Sequence, residues 1–219
     1  MKPSKIQGIF IENNKFFTEN PIECKDVKIY NEKLLNRDDK QFRSWNPYRS
    51  KLASALHKGI NIDITDKSDV LYLGAATGTT VSHISDIIKM GRIFSVENSP
   101  LAMKKLLSVC KIRKNIIPIL SDANHPDRYN HIVNQVDIVY QDISQRNQAE
   151  IFIKNIKRYL KSEGIGIIMV KARSIDVSLK PKVAFDMVCS IIKQNSLKIN
   201  KMVELHPYEK DHAAIICSY

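Results

Sequence analysis

The feature that most constrains the fold is a loop of small residues that directly follows a short apolar run. The stretch from Val70 to His83 is V-L-Y-L-G-A-A-T-G-T-T-V-S-H, with glycine at positions 74 and 78. An apolar run, a tight turn and a helix-compatible segment in this order predict the first strand–turn–helix unit of a parallel α/β sheet. Glycine lets a ligand approach the backbone closely, and the helix start directs free N–H groups into the turn. The stretch therefore predicts a ligand-binding loop.

Apolar strands and helical segments alternate from this loop to the end of the chain. We predict strands at Val70–Leu73, Ile93–Val96, Ile116–Leu120, Val136–Tyr140, Ile165–Val170, Leu197–Leu205 and Ala213–Cys217. We predict helices at Thr80–Met90, Pro100–Cys110, Gln148–Leu160 and Lys182–Gln194. In the second of these helices, Leu101, Leu106 and Val109 are expected to pack against the core. This alternation predicts an α/β fold built on a mostly parallel sheet.

The first 45 residues have a different pattern of short apolar-aromatic runs. The runs are K-I-Q-G-I-F-I, F-F-T and D-V-K-I-Y, and the turn E-N-N-K separates the first two. They predict a small antiparallel β domain, which is too short to be stable alone and should pack on the larger domain. Pro47 is expected to start a helix that continues through L-A-S-A-L. We therefore divide the chain into residues 1–45 and 46–219.

The formal net charge of +11 has two possible explanations. A polyanionic partner such as nucleic acid would account for it. A compositional bias toward lysine would do so equally well. The charge supports an RNA-binding function only if another feature points to RNA.

The cysteines and the apolar runs indicate the cellular environment in which the protein is expected to lie. The four cysteines are scattered without C-x-x-C spacing, which predicts neither a metal site nor a disulfide framework and favours a reducing interior. The N-terminus lacks the apolar stretch of a signal peptide, and no apolar run is long enough to span a bilayer. We therefore expect a protein that does not associate with membranes.

Polar residues follow successive predicted strands where each strand ends. Glu97, Asp122, Asp142 and Lys171 occupy these positions. In open parallel sheets, ligands bind in the crevice outside the carboxyl ends of the strands. A strand end is often polar simply because the chain returns to water, but four such residues in succession favour a site.

The loop and the first two acids together predict an adenosine pocket. The G-A-A-T-G spacing does not fit G-x-G-x-x-G, which disfavours a nicotinamide-dependent oxidoreductase, and no lysine suited to a triphosphate follows it. Glu97 is placed to accept hydrogen bonds from a ribose diol. Asp122 could accept from an adenine amino group. A ligand with an adenosine end and no pyrophosphate fits best, and S-adenosylmethionine is the leading candidate.

Six motifs in one order resemble the fibrillarin family over nearly the whole chain. They are W-N-P-Y-R-S-K-L-A, the loop V-L-Y-L-G-A-A-T-G-T-T-V-S-H-I-S-D, I-L-S-D-A, V-D-I-V-Y-Q-D-I-S-Q, V-K-A-R-S-I-D and P-Y-E-K-D-H-A. The N-terminal stretch F-F-T-E-N-P-I-E-C-K-D-V-K-I-Y-N-E-K resembles the small β domain of archaeal members. Two segments, Asn98–Leu101 and Ile143–Gln148, depart from the family pattern.

This resemblance implies a fold, an activity and partners. The implied fold is a Rossmann-like methyltransferase sheet with a small N-terminal antiparallel β domain. The implied enzyme is an S-adenosylmethionine-dependent ribose 2′-O-methyltransferase acting on rRNA or tRNA as the catalytic subunit of a box C/D guide ribonucleoprotein. Its implied partners are the guide RNA, the target RNA, a Nop-type scaffold protein and, through the complex, a kink-turn-binding protein. The Gly/Arg-rich tail of eukaryotic members is absent, which implies the archaeal type and a cytoplasmic rather than nucleolar location.

The resemblance also implies roles for individual residues. The catalytic set is Lys51, Asp142, Lys171 and His212. In this set Lys171 would lie nearest the ribose hydroxyl, Asp142 would orient one lysine, and Lys51 and His212 would orient the set or hold the RNA. The implied cofactor-binding residues are Gly74, Ala75, Thr79, Thr80, Glu97, Asp122, Ala123, Asp142 and Gln145. No metal site is implied.

Two further functions compete with this one. The chain could be a non-catalytic assembly subunit that keeps the fold, although the intact Lys-Asp-Lys-His set disfavours this. It could also be a stand-alone methyltransferase that recognises its own RNA. A measurement of S-adenosylmethionine binding distinguishes the assembly subunit from a methyltransferase. An assay with and without guide RNA distinguishes the stand-alone methyltransferase from the guided one.

Overall fold

The N-terminal part of the chain forms a five-stranded antiparallel sheet, as the computed structural model of residues 1–219 shows. Its strands are β1 (Lys2–Pro3), β2 (Ile9–Glu12), β3 (Lys15–Asn20), β4 (Leu34–Arg37) and β5 (Lys40–Trp45). They lie in the order β1-β2-β3-β5-β4. Asn13 and Asn14 form the turn between β2 and β3 with φ of 50° and 56°, the positive values that tight hairpin turns require. The predicted antiparallel sheet is confirmed.

The rest of the chain is built on a seven-stranded sheet. Its strands are β6 (Val70–Leu73), β7 (Ile93–Glu97), β8 (Ile116–Leu120), β9 (Val136–Gln141), β10 (Leu160–Lys171), β11 (Lys198–Glu204) and β12 (His212–Ser218). The order is β11-β12-β10-β9-β6-β7-β8. Strands β10, β9, β6, β7 and β8 are parallel, and β12 is antiparallel to both of its neighbours. The α/β fold is confirmed, and β6 and β8 have the predicted bounds.

Helices cover both faces of the larger sheet. They are α1 (Lys51–His57), α2 (Thr79–Ile87), α3 (Pro100–Ile112), α4 (Gln148–Tyr159), α5 (Ala172–Ile175) and α6 (Pro181–Gln194). Along β6, Val70 and Tyr72 belong to one apolar core while Leu71 and Leu73 belong to the other. This alternation explains why a strand buried on both faces is a continuous apolar run. None of the helices combines the length and apolar character needed to cross a membrane.

The run D-V-K-I-Y, predicted as a strand, has no regular secondary structure. The carboxylate of Glu32 accepts hydrogen bonds from the backbone N–H groups of Ile29 (3.0 Å) and Tyr30 (2.8 Å). Asp26 and Asn31 have positive φ at either end of the run. The prediction is wrong because a side chain, rather than a neighbouring strand, satisfies these backbone donors.

Two predictions about helices are also wrong. The first helix does not start at Pro47, because Ser50 is its N-cap and accepts from the N–H of Ala53 (3.3 Å). Leu101 is 81% exposed, whereas Leu106 and Val109 of the same helix are buried. Five residues separate Leu101 from Leu106, which turns its side chain about 140° away from the buried face.

A buried cluster of charges joins the small sheet to α2. The guanidinium of Arg43 on β5 donates to Asp86 on α2 (2.6 Å), to Glu32 (2.8 Å) and to Ser82 (2.9 Å). Arg113 donates to the second oxygen of Asp86 (3.0 Å). All of these side chains are buried, and buried charges persist only when they are paired and hydrogen-bonded. The cluster therefore fixes the orientation of the small sheet on α2.

His83, one turn before Asp86, completes this interface. Thr18 donates to Asp86 (2.7 Å), so its hydroxyl oxygen accepts from Nδ1 of His83 (2.7 Å). The hydroxyl of Tyr30 then donates to Nε2 (2.6 Å). Burial is the main reason that the pKa of His83 lies well below its usual value, and it keeps the imidazole neutral. Because this interface is continuous, the division of the chain at residue 45 into two domains stays a prediction.

Candidate active site

The carboxyl ends of the parallel strands form one edge of the larger sheet, and the loop after β6 lies at its centre. The chain proceeds from β6 to β7 and β8 on one side, while β9 and β10 lie on the other. Ligands bind at such a reversal of strand order. Strand β12 begins at the same edge because it is antiparallel, and its first residue, His212, pairs with Lys171. The edge therefore collects residues from distant parts of the chain.

The loop after β6 is tied tightly to the neighbouring strand ends. The N–H groups of Gly74 and Ala75 both donate to the carbonyl of Val96 (2.9 and 3.1 Å). The N–H of Asp142 donates to the carbonyl of Leu73 (2.9 Å). Gly74 has φ of 83°, and a Cβ there would overlap the backbone carbonyl of Asp142. Glycine is therefore required where the loop crosses the end of β9.

Glu97, the last residue of β7, is held in one orientation by backbone donors. One carboxylate oxygen accepts from the N–H of Ala76 (2.8 Å) in the loop, and the other accepts from the N–H of Ser99 (2.8 Å). The side chain is only 8% exposed. Each oxygen keeps a further lone pair, so the carboxylate can accept from two hydroxyl groups of a ribose at once.

The residues after β8 contribute the far wall of the same cleft. Asp122 accepts from the backbone N–H of Asn124 (2.9 Å), and this bond is the main reason that the pKa of Asp122 is lowered. The side-chain amide of Asn124 also donates to the side chain of Gln145 (3.0 Å). Asn124 therefore links the end of β8 to the loop after β9.

One narrow cleft contains five of the nine residues predicted to bind the cofactor. Its lining residues are Gly74, Val96, Glu97, Asn98, Ser121, Asp122, Ala123, Ile143 and Gln145. Ala75, Thr79, Thr80 and Asp142 do not line it. The hydroxyl of Thr80 instead bonds to that of Ser50 (2.9 Å), which couples the start of α2 to the cap of α1. The binding roles of all nine residues stay predictions.

Sequence reasoning missed four residues that line the cleft: Val96, Asn98, Ser121 and Ile143. Each of them directly precedes or follows a polar residue that the sequence analysis placed at a strand end. That adjacency is the signal that could have identified them. Asn98 and Ile143 also lie in the two segments that depart from the family pattern, so part of each departing segment faces the cleft.

Lys51 and Asp142 form an ion pair at the strand edge, although 91 residues separate them. The ammonium of Lys51, the first residue of α1, lies 2.9 and 3.2 Å from the two carboxylate oxygens of Asp142. Both side chains are partly exposed, at 20% and 17%. Asp142 is therefore paired with one lysine of the predicted set, and that lysine is Lys51.

Lys171 and His212 lie side by side at the ends of β10 and β12. His212 is buried, and its Nδ1 donates to the carbonyl of Lys210 (2.6 Å). Burial is the main reason that the pKa of His212 is lowered, and the charge of Lys51 acts in the same direction. The imidazole is thus neutral near pH 7, with Nε2 as an acceptor. The structure brings all four predicted catalytic residues to one edge, and their roles stay predictions.

Comparison with known proteins reveals a family match over the full length. The family model described as Fibrillarin matches residues 1–219. A relative from Methanocaldococcus jannaschii, named fibrillarin-like rRNA/tRNA 2′-O-methyltransferase, is 47% identical over 193 residues, covering 88% of this chain and 84% of the relative.

Two solved structures share the fold over nearly the whole chain. Aeropyrum pernix fibrillarin, crystallised with natively bound S-adenosyl-L-methionine, is 38% identical with a TM-score of 0.88, and the match covers 99% of this chain and 96% of that one. A fibrillarin in complex with Nop5p is 40% identical with a TM-score of 0.89, and the match covers 99% of both chains. These similarities extend over both sheets.

Proposed function

This chain belongs to the fibrillarin family, and from that premise we propose that it methylates ribose 2′-hydroxyl groups of rRNA and tRNA with S-adenosylmethionine. One observation carries the proposal for this chain. The Lys51–Asp142 ion pair and the Lys171–His212 neighbours share the strand edge with a cleft whose Glu97 carboxylate is fixed in place. A methyl acceptor and a methyl donor can therefore be held at adjoining positions.

The residues of the cleft fit S-adenosylmethionine. Glu97 offers two oriented oxygens to a ribose diol, and Asp122 keeps one oxygen that Asn124 does not engage. Gly74 lines the cleft, and its lack of a side chain lets the loop pass close to the backbone of Asp142. When bound, S-adenosylmethionine supplies an activated methyl group for transfer to the ribose oxygen.

The two lysines of the predicted catalytic set differ in whether they have a carboxylate partner. Asp142 holds the amine of Lys51 between its two carboxylate oxygens, at 2.9 and 3.2 Å. Lys171 has no carboxylate partner, and its hydrogen bonds are made by its backbone. We assign the unprotonated amine of Lys171 as the group that would accept the proton of the 2′-hydroxyl, as the hydroxyl oxygen bonds to the methyl carbon and the bond from that carbon to the donor's sulfur breaks. His212, neutral and next to it, offers Nε2 to the RNA.

The remaining partners are part of the same proposal. A related fibrillarin is found with Nop5p, which supports a Nop-type scaffold for this chain. A box C/D guide RNA would then select the target, and a kink-turn-binding protein would join through the assembly. A second polar cleft contains Arg128, Lys154, Lys157 and Arg158 and suits an RNA backbone. We propose a cytoplasmic location.

Methyl transfer by the reconstituted complex tests this function. The substrate is an RNA matched to the guide, and the chain is assayed with and without guide RNA and scaffold. We expect Lys171→Ala to reduce the rate by at least about 10²-fold, the usual contribution of a proton acceptor, and to retain its fold by circular dichroism.

The exposed Lys105 on α3 provides the matched control, and Lys105→Ala should keep full activity. Full activity of Lys171→Ala would contradict the assignment. Absence of S-adenosylmethionine binding in calorimetry would favour the assembly role instead, and activity without guide RNA would favour a stand-alone enzyme.

A further inference from the structure

The side chain of Gln148, the first residue of α4, is completely buried beside Lys171. Its Oε1 accepts from the backbone N–H of Lys171 (3.0 Å), and its Nε2 donates to the backbone carbonyl of the same residue (3.2 Å). The second proton of Nε2 is directed to the carbonyl of Gln145 (3.0 Å). One amide group therefore grips both backbone groups of Lys171.

The position of this amide follows from the lengths of the strands. Strand β9 ends at Gln141, which lies opposite Ile168 in the parallel register with β10. Strand β10 continues to Lys171, so its last residues have no strand neighbour on that side. A primary amide presents a donor and an acceptor with the spacing of a peptide group. Gln148 thus replaces the missing strand and extends the ladder to Lys171.

Further contacts join this amide to the cofactor cleft. Gln141, at the end of β9, donates to the backbone carbonyl of Gln148 (2.6 Å). Gln145, whose carbonyl the Gln148 amide holds, lines the cleft with its side chain. The same buried group therefore connects the backbone of Lys171 to the loop that forms one wall of the cleft.

We infer that Gln148 is a positioning residue for methyl transfer, which fixes the backbone of Lys171 relative to the cofactor loop. This inference rests on the function proposed above, because it assigns Lys171 to the proton-transfer step. Gln148 does not itself reach the reacting atoms, since the backbone of Lys171 lies between. Displacement of a reacting group by about 1 Å can cost on the order of 10²-fold in rate.

Two substitutions of Gln148 test this role in the reconstituted complex. Gln148→Met keeps the length and apolar stem but removes the amide, and we expect kcat to fall on the order of 10²-fold with an unchanged Kd for S-adenosylmethionine. Gln148→Glu keeps the shape. A protonated carboxyl group keeps the acceptor and one of the two donors of the amide, whereas a carboxylate has acceptors only.

The pH dependence of these variants gives a readout that a purely structural role would not change. The kcat of Gln148→Glu relative to wild type should rise as the pH is lowered, because burial favours the protonated carboxyl group that can again donate to Lys171. The kcat of Gln148→Met relative to wild type should not change with pH. Gln194→Met, the same change at an exposed position of α6, should match wild type throughout.

Hydrogen exchange of the Lys171 amide, followed by NMR on the full chain, tests the contact without any methyl transfer. We expect faster exchange at Lys171 in Gln148→Met, with the amide of Leu71 in the central strand β6 unchanged. Unchanged exchange at Lys171, unchanged kcat, or an equal loss of kcat and cofactor affinity would each overturn the inference. If wild type failed to methylate, the proposed function would be wrong, and the exchange data would still decide whether Gln148 holds Lys171.

Discussion

The basic side chains of Arg43 and Lys171 differ in what surrounds them. Arg43 lies at the interface between the two sheets, is fully buried, and donates to three side chains. Lys171 lies at the strand edge, is half-buried, and its amine has no carboxylate partner. The charged groups of the interface are thus paired with one another, whereas the edge leaves the amine of Lys171 without a carboxylate partner.

This difference separates polar groups that stabilise the fold from those available to a ligand. A buried charge with its partners in place is costly to disturb, because removal of one partner leaves the other without compensation. A partly exposed amine is solvated by water and costs little until a substrate arrives. Sites that leave local interactions unsatisfied are where function is expected.

Removal of the Asp86 carboxylate should have the largest effect on stability. Asp86→Ala leaves Arg43 and Arg113 buried without their shared partner, and we expect the free energy of unfolding to fall by about 3–5 kcal/mol. Urea denaturation measures it. Asp186→Ala, at an exposed position of α6, should change stability by less than about 0.5 kcal/mol. A loss below about 1 kcal/mol in Asp86→Ala would remove the contrast with the strand edge.

Neutralisation of Glu97 should weaken the binding of S-adenosylmethionine. Glu97→Gln replaces the charged group that we propose accepts from a ribose diol, and hydrogen bonds to charged groups contribute about 1.5–3 kcal/mol. The affinity for S-adenosylmethionine in calorimetry should therefore fall about 10- to 150-fold. Glu150→Gln, at an exposed position of α4, serves as the matched control. An unchanged affinity in Glu97→Gln would exclude Glu97 from the cofactor site.

Acidification should lower the free energy of unfolding by a smaller amount, through His83 at the interface between the small sheet and α2. The pKa of His83 is lowered by burial, so below its ordinary value near 6.5 the unfolded chain binds a proton that the folded chain excludes. Stability is thus complete above about pH 6.5 and is lost as the pH falls, by up to about 1.4 kcal/mol at pH 5.5. His57 and His212, whose pKa values are also lowered by burial, act in the same direction.

Urea denaturation at pH 7.5 and 5.5 measures this dependence. His83→Gln should reduce the slope, because the buried imidazole is absent. His131→Gln, at an exposed position, should retain the slope of wild type. Equal stability of wild type at the two pH values would show that protonation of His83 costs nothing in the folded chain.

Local patterns predicted the central strands of the larger sheet well because those strands are buried on both faces. The apolar run Val70–Leu73, in which every residue is buried, has the predicted bounds, and so has Ile116–Leu120 at the sheet edge. The run D-V-K-I-Y looked similar, but Glu32 satisfies its backbone donors and no strand forms. Apolar composition identifies burial, and long-range partners decide the local conformation.

Part of the candidate site could be predicted because its acids lie next to apolar runs in the sequence. Glu97, Asp122 and Asp142 follow apolar runs within two residues, so their common edge follows from the parallel topology. The pairing of Lys51 with Asp142 and of Lys171 with His212 depends on packing and on strand register. The hydrogen bonds between the side chain of Gln148 and the backbone of Lys171 depend on β9 ending before β10. No local pattern encodes these distances.

The sequence by itself determined the fold class, the loop after the first buried strand and the two acids that line the cleft beside it. Each of these depends on residues within a few positions of one another. Only the tertiary structure decided which lysine Asp142 holds, which one stays free, and how the small sheet attaches to α2. Those outcomes depend on groups tens of residues apart, whose distances are set when the two cores pack.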